Sequence, residues 1–208
     1  MLAVEAVTNA PVDIGARVTA ETPFRLRVAS GFGVVPDAYL GVVNGVVSGM
    51  GAYDGRTADI IDGALEGGSV WRTQLGFRPF PRAGFYVDGG YALVHLSGSI
   101  YGSDVAAPDV VIAGTDVRNA GYDLHTTVHM WLIEAGWQAH VLERMVLGAA
   151  LGVQGTIASD TDATPNFEQG RTAAGRSMSA QAVRDIDDIL ETYGYVTTLT
   201  VRFGYDFL

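Results

Sequence analysis

The sequence contains no cysteine and no lysine. Without cysteine there is no disulfide framework, no thiolate nucleophile and no thiolate metal site, and such a chain suits an oxidising compartment without requiring one. All 13 basic residues are arginine, set against 23 acidic ones, and a formal net charge of -10 argues against nucleic acid as a partner. Only 17% of the 208 residues are charged while 48% are hydrophobic, so the composition is that of an ordered domain rather than a disordered chain. Long hydrophobic runs are missing as well. The charge-free stretches from Ala38 to Tyr53, Gly89 to Ser103 and Met145 to Ser159 are broken by glycine, and none offers the roughly 18 to 20 apolar residues of a membrane-spanning helix. Gly148 and Gly152 have GxxxG spacing, but the run is too short for a helix-dimer face. Met1 leads straight into Leu-Ala-Val-Glu with no basic segment and no long apolar core, so a secretory signal is expected to have been removed or cut from this chain.

What is present is alternation with a period of two, the mark of strands with two chemically different faces. It is plainest at the C-terminus, where Tyr193, Tyr195, Thr197, Leu199, Val201, Phe203, Tyr205 and Phe207 alternate with Gly194, Val196, Thr198, Thr200, Arg202, Gly204 and Asp206. The same phasing recurs from Leu2 to Val7, Val12 to Glu21, Phe24 to Gly33, Trp71 to Arg78, Phe85 to Ser97, Trp131 to Val141 and Met145 to Ile157. These segments predict eight strands in one domain spanning 1–208. Short connections at Thr22-Pro23, Pro79 to Ala83 and Leu142 to Arg144 alternate with long ones at Val35 to Gly68, Tyr101 to Asp123 and Ala158 to Thr192. Only Asn9 to Pro11 is short where a long connection is due. Strands running up and down in order would gather the tight turns and both termini at one end, the plan of an all-β, eight-stranded antiparallel barrel. Helical spacing within the loops, Tyr39 to Met50 behind Asp37, Ile60, Ile61, Ala64 and Leu65 behind Thr57, and Val183 to Leu190 behind Ser179, predicts short helices packed at the barrel mouth. Val43, Val47, Ile60, Ile61, Ile186 and Ile189 are the candidate contacts for an apolar ligand held between them.

Alternation alone leaves open whether the apolar face looks into a soluble barrel or out into lipid. Three features favour lipid. Glycine and alanine crowd the polar face, as expected where eight strands leave an interior just wide enough for side chains to fill. Aromatic residues form two girdles, with Phe24, Phe77, Phe85, Trp137, Phe203, Tyr205 and Phe207 near the tight turns and Phe32, Trp71, Trp131, Tyr193 and Tyr195 towards the long loops. From Tyr195 to Phe203 the chain covers about 20 Å at ~3.3 Å per residue and a tilt of ~40°, close to the roughly 25 Å apolar band of such barrels. The third feature is charge balance. The polar face holds Arg17, Arg25, Arg27, Arg72, Arg78 and Arg202 against Glu5, Asp13, Glu21, Asp88, Glu134 and Asp206, while the three long loops carry sixteen acidic residues and five arginines. Equal numbers of arginine and carboxylate can pair in a closed lumen, and the planar arginine fork suits such a network.

On these residues the chain resembles the small eight-stranded outer-membrane barrel proteins of Gram-negative bacteria, the OmpA transmembrane-domain and OmpX type. The resemblance rests on the two-residue repeat, the loop asymmetry and the last strand Phe203-Gly-Tyr205-Asp-Phe207-Leu208, and it covers the strand segments but not the long loops. It implies residence in the outer membrane, contact with outer-membrane lipid and lipopolysaccharide, recognition of the last strand by the assembly machinery, and a monomer without a cofactor. Such proteins typically end in phenylalanine, whereas here Phe207 is penultimate and Leu208 last. The role implied is structural or in surface interaction, without catalysis.

Three other readings stay open at this point. One is a carrier or narrow pore for small apolar molecules; another is a soluble ligand-binding barrel with the faces reversed. The third is a lipid-modifying enzyme using the rim histidines His95, His125 and His129 beside Ser97 and Asp123, although no nucleophile motif accompanies them and the plainer reading is a half-wet rim. Asp160, Asp162, Asp185, Asp187 and Asp188 lack the spacing of a calcium loop, but acidic loops beside an anionic leaflet would together attract divalent cations.

Overall fold

A computed structural model of the chain describes residues 1–49, 65–80, 83–101, 121–141, 143–166, 180, 183–184, 186–192 and 194–207. Eight antiparallel strands, each paired with its neighbours in chain order and the first with the last, close into one barrel. They are β1 (Leu2–Ala10), β2 (Asp13–Glu21), β3 (Leu26–Val35), β4 (Leu65–Phe77), β5 (Phe85–Tyr101), β6 (Gly121–Val141), β7 (Met145–Pro165) and β8 (Tyr195–Asp206). Tight turns join β2 to β3, β4 to β5 and β6 to β7 at the end where both termini lie, and the β1–β2 hairpin turns through Pro11 and Val12 at the other. The helix expected behind Asp37 is α1 (Asp37–Gly49), tied down where Tyr39 Oη and Thr8 Oγ1 share a 2.9 Å hydrogen bond. Residues 186–192 are also helical, and Leu190 packs onto the barrel's apolar core. Thr57, Ile60, Ile61, Ala64 and Tyr193 lie outside the described residues, as do the side chains of Val43 and Val47.

Several strands outrun the sequence reading: β4 begins at Leu65, which was expected within a loop helix, and β5 runs on to Tyr101, and β6 and β7 go furthest. β6 and β7 are each 21 residues long, so β6 begins before Asp123 and β7 continues past Ala158 instead of ending in a loop. A β-bulge explains the difference in β7. Met130 pairs with Thr156 but His129 pairs with Ala158, leaving Ile157 as the extra residue, and an inserted residue shifts every later side chain to the opposite face. Below the bulge the even positions Gln154 and Thr156 are buried; above it Thr161 is buried while Asp160 and Asp162 are exposed. A period-two pattern read straight through this point loses its phase and ends early.

The interior has two layers of opposite chemistry. Towards the tight turns, Glu5, Arg17, Arg27, Tyr86, Asp88, Glu134, Gln138 and Arg202 point inward, while Val28, Leu75, Val87, Ile133, Leu151 and Phe203 are exposed on the outer wall. Towards the long loops the faces exchange character. Val12, Val35, Val70, Ala92, Val94, Val128, Met130 and Leu132 pack against one another inside, joined by Leu96, Leu190 and Val196. On β4 to β6 the outer wall at that height carries Ser69, His95, Ser97, His125 and Thr127 instead, whereas Val34 of β3, paired with Ser69, and Ile14 of β2 stay apolar and exposed. A polar interior was the expectation for the whole barrel, and it holds only for the lower layer. The exchange occurs within single strands: on β5 the outward series runs Val87, Tyr91, Leu93 and then His95 and Ser97.

The side a residue faces therefore fixes its cost of removal. Leu132, 4% exposed within the upper layer, should lose about 2–5 kcal/mol of stability on truncation to alanine. Ile133, its outward neighbour at 55% exposure, should lose a small fraction of that when the two variants' urea midpoints are compared in the same detergent.

Candidate functional site

The lower lumen is built around Arg17 on β2. Its Nη1 donates to Gln74 Oε1 at 2.8 Å and to Glu134 Oε1 at 3.2 Å, and its Nε donates to Thr19 Oγ1 at 3.2 Å. Glu5 and Asp88 lie 3.6 and 3.5 Å from the same guanidinium. Four elements of the wall, β1, β4, β5 and β6, thus meet the one cation that β2 extends across the bore. Thr19 Oγ1 also donates to Glu5 Oε2 at 2.6 Å, which fixes the carboxylate. A second cluster lies nearer the turns, where Arg27 donates from Nε to Asp88 Oδ1 at 3.2 Å and from Nη1 to Gln138 Oε1 at 2.9 Å. Glu21 Oε2 accepts from Arg78 at 2.8 Å and from Arg27 at 3.4 Å. A third joins Arg72 to Asp13, whose carboxylate also accepts from Asn9 Nδ2, and Asn9 Oδ1 in turn accepts from Thr200 Oγ1 at 2.8 Å.

Arg202 is held differently. Its Nε is 3.7 Å from Glu5 Oε1, and its guanidinium carbon sits 4.4 Å from the centre of the Tyr86 ring, with that of Arg27 at 4.1 Å from the same ring. Stacking over an aromatic face gives the planar cation a partner without a hydrogen bond. Tyr86, fully buried, was not singled out from the sequence, although its parity with Asp88 places it on the inner face. Gln74, Gln138, Asn9 and Thr19 were missed for the same reason, since neutral polar residues stand out less than charges. The fit depends on the wall opposite each long side chain. Glu5 pairs across the strands with Gly204, Arg17 with Gly31, Asp88 with Gly76, Glu134 with Gly152 and Arg202 with Gly148. A Cβ built on Gly148 would lie 3.0 Å from Arg202 Cγ, so the arginine occupies space that only glycine leaves.

Arg25 does not belong to this network. It lies exposed in the β2–β3 turn with a φ of 68°, its Nη1 donating to Pro79 O at 3.3 Å. β3 begins only at Leu26, so Arg25 falls in the turn despite its parity. Five arginines therefore face six carboxylates inside; the sixth carboxylate, Asp206, has its Oδ2 3.4 Å from Nε2 of the exposed His140. A gap of about 10 Å³ bordered by Asn9, Asp13, Arg17, Arg72 and Gln74 has room for a single water.

The girdle residues Phe24, Phe32, Trp71, Phe77, Trp137, Tyr195, Phe203, Tyr205 and Phe207 are all exposed on the outer wall, with Phe85 and Trp131 half-buried beside them. Phe85 packs on Trp137 with ring centres 5.0 Å apart, and Trp131 on Tyr195 at 6.5 Å. Ile186 and Ile189 are half-buried. Asp187 is used internally, accepting from Ser159 Oγ at 2.9 Å and Thr161 Oγ1 at 2.7 Å to pin the loop helix to β7. Among the described residues no group of three or more acidic or histidine side chains is arranged to hold a metal ion.

No protein-family model matches the chain, and no curated protein matches it. Solved structures do. The chain is similar over 98% of its length to a major outer membrane protein from Thermus thermophilus, covering 97% of that chain at 12% identity and a TM-score of 0.49. It is similar over 99% of its length to CarO of Acinetobacter baumannii, covering 97% of that chain at 11% identity and a TM-score of 0.47. The N-terminal β-barrel domain of Pseudomonas aeruginosa OprF aligns over 98% of this chain and 95% of its own, at 10% identity and a TM-score of 0.46. The fold is an eight-stranded up-and-down β-barrel. That is the architecture drawn above from the alternation and from the resemblance.

Removing one member of a buried, hydrogen-bonded ion cluster strands the others. Arg17→Met should cost about 3–5 kcal/mol of unfolding free energy for that reason. Arg25→Ala, in an exposed turn, should stay within about 0.5 kcal/mol of the parent. Equal losses in chemical denaturation would mean that the charged cluster holds no more stability than the turn.

Proposed function

We propose that this chain is an outer-membrane β-barrel with a closed, charge-paired lumen and a structural or surface-interaction role, in which the lumen residues form a scaffold and not a catalytic site. The observation that carries the reading is the exchange of faces along the strands. Over the lower wall, from Phe203 up to Tyr195 on β8 and from Phe85 up to Leu93 on β5, the outside is apolar and aromatic while the charges are inside. On β4, β5 and β6, above Trp71, Leu93 and Trp131, the outside turns to histidine, serine and threonine and the inside to valine, leucine and methionine, while β2 and β3 keep Ile14 and Val34 outside at their upper ends. A wall in lipid needs the first pattern and a wall in water needs the second. A wholly soluble barrel with its faces reversed gives no reason for charge to fill the lower interior.

The closed lumen is supported by the upper layer. A solute moving past Arg17 meets Val70, Ala92, Val94, Val128, Met130 and Leu132, with Leu190 of the loop helix above them. Tight packing of such side chains blocks water and ions, and it also leaves little room for an apolar cargo. The surroundings follow from the placement: outer-membrane lipid around the girdles, lipopolysaccharide and divalent cations beside the acidic loops, and the assembly machinery acting on β8. The tight turns then face the periplasm.

Purified protein should stay folded only with detergent or lipid and should migrate faster on unheated gels than on heated ones; a monodisperse, folded chain in plain buffer would overturn the placement. Leu151→Arg, at a position 70% exposed in the middle of the apolar wall, should cost about 2–4 kcal/mol in lipid. Planar-bilayer recordings should show no steady conductance, and a large stable current would overturn the closed lumen.

A further inference from the structure

We propose that Ser97, His125 and Asp162 form a hydrolytic triad on the outer wall, acting on carboxylic esters, an activity beyond the structural role proposed above. The three residues stand in one row across three adjacent strands: Ser97 on β5 pairs with His125 on β6, and His125 pairs with Asp162 on β7. All three are exposed on the same face. Directly opposed side chains in antiparallel strands have Cβ atoms about 4.5–5.5 Å apart, a spacing that a serine hydroxyl, an imidazole and a carboxylate can bridge; in this structure the three are not hydrogen-bonded to one another, and Asp162 Oδ2 accepts from Thr164 Oγ1 at 3.3 Å. Catalytic hydrogen bonds commonly tighten only when substrate binds.

Two further observations point to a built site. The first is the bulge at Ile157. Without that extra residue Asp160 and Asp162 would keep the parity of Gln154 and Thr156 and face the lumen; with it they face outward beside Thr127 and His125. Bulges occur at sheet edges, at the rims of barrels and next to active sites, where they re-aim a side chain. The second is a hollow of about 400 Å³ in the wall, bordered by Gly67, Ser69, His95, Ser97, His125 and Thr127. It is large enough for a small ester and contains both the nucleophile and the base. His95 Nδ1 and Thr127 Oγ1 share a hydrogen bond of 3.1 Å, and with the hydroxyl donating there, Nε2–H is left as a donor for the carbonyl oxygen of a bound ester.

The chemistry balances with water alone. Ser97 Oγ adds to the ester carbonyl as His125 takes its proton, with Asp162 holding the imidazolium. The tetrahedral intermediate collapses, the carbon–oxygen bond to the alcohol breaks, and the alcohol leaves with the proton from His125. Water then adds to the acyl group on Ser97, again giving a proton to His125, and release of the carboxylic acid restores the serine. Ser97 and His125 are the catalytic residues, and Asp162 is a positioning residue.

The test uses the full chain in detergent, with far-UV circular dichroism to show that each variant is folded. A fluorophosphonate probe should label wild-type protein at Ser97, located by mass spectrometry, and Ser97→Ala should abolish the label. His125→Ala should slow labelling at least ~100-fold. Asp162→Asn should slow it too, while Asp162→Glu restores a measurable part, which a purely structural role would not require. Deletion of Ile157 should abolish labelling in a folded barrel by turning Asp162 inward. Two ester sources distinguish the substrate: p-nitrophenyl acetate in solution, and phospholipid or lipopolysaccharide in vesicles. Turnover of either that is lost in Ser97→Ala supports the proposal. No labelling of the wild type, or turnover of neither ester, overturns it.

Discussion

An arginine buried inside a narrow barrel must find its counter-charges within the wall, and Arg17 sets the terms for the rest of the lower lumen. At 5% exposure it draws Glu5, Asp88 and Glu134 to within hydrogen-bond or ion-pair distance. Desolvating four charges is costly, and the cost is offset only where geometry is good and the remaining donors are bonded. That requirement accounts for Gln74 and Thr19 beside the guanidinium, and for a second kind of partner, the Tyr86 ring, where the ion pair of Arg202 with Glu5 is long at 3.7 Å. It also accounts for the glycines. With eight strands the bore is narrow; Glu5 and Arg17 stand opposite each other, as do Asp88 and Glu134, and each of these faces a glycine on its other neighbouring strand, as Arg202 does on one of its two.

The same constraint explains which parts of the molecule were legible in the sequence. Alternation depends on one face being uniformly unlike the other, and the apolar outer wall satisfies this from Phe203 to Phe207 or Trp131 to Val141. The strand number, their order and the alternation of short and long connections could therefore be read directly. The charged residues were readable because parity assigns a side to each, and all but Arg25 point where parity puts them. Arg25 fails because a turn with a left-handed residue obeys no strand parity.

Less legible were the features that need pairing information. The bulge at Ile157 hides the upper half of β7, because one inserted residue scrambles the period without leaving a compositional mark. The apolar upper layer is hidden for a related reason: Val94, Val128 and Met130 alternate with His95, Thr127 and His129 with the polarity reversed, and that reads as the fading of a strand instead of its continuation. Ser97, His125 and Asp162 are far apart in the chain, and no local motif joins them. Their alignment depends on the register of two hairpins and on a single inserted residue.

The unequal strand lengths shape the rim. β1 and β2 run for nine residues each and β6 and β7 for 21, so at ~3.3 Å per residue and a tilt of ~40° one side of the rim rises roughly 30 Å above the other. Among the described residues the ends of the strands consequently form a slope, with a tall screen of sheet on one side and a low sill at Pro11 and Val12 on the other.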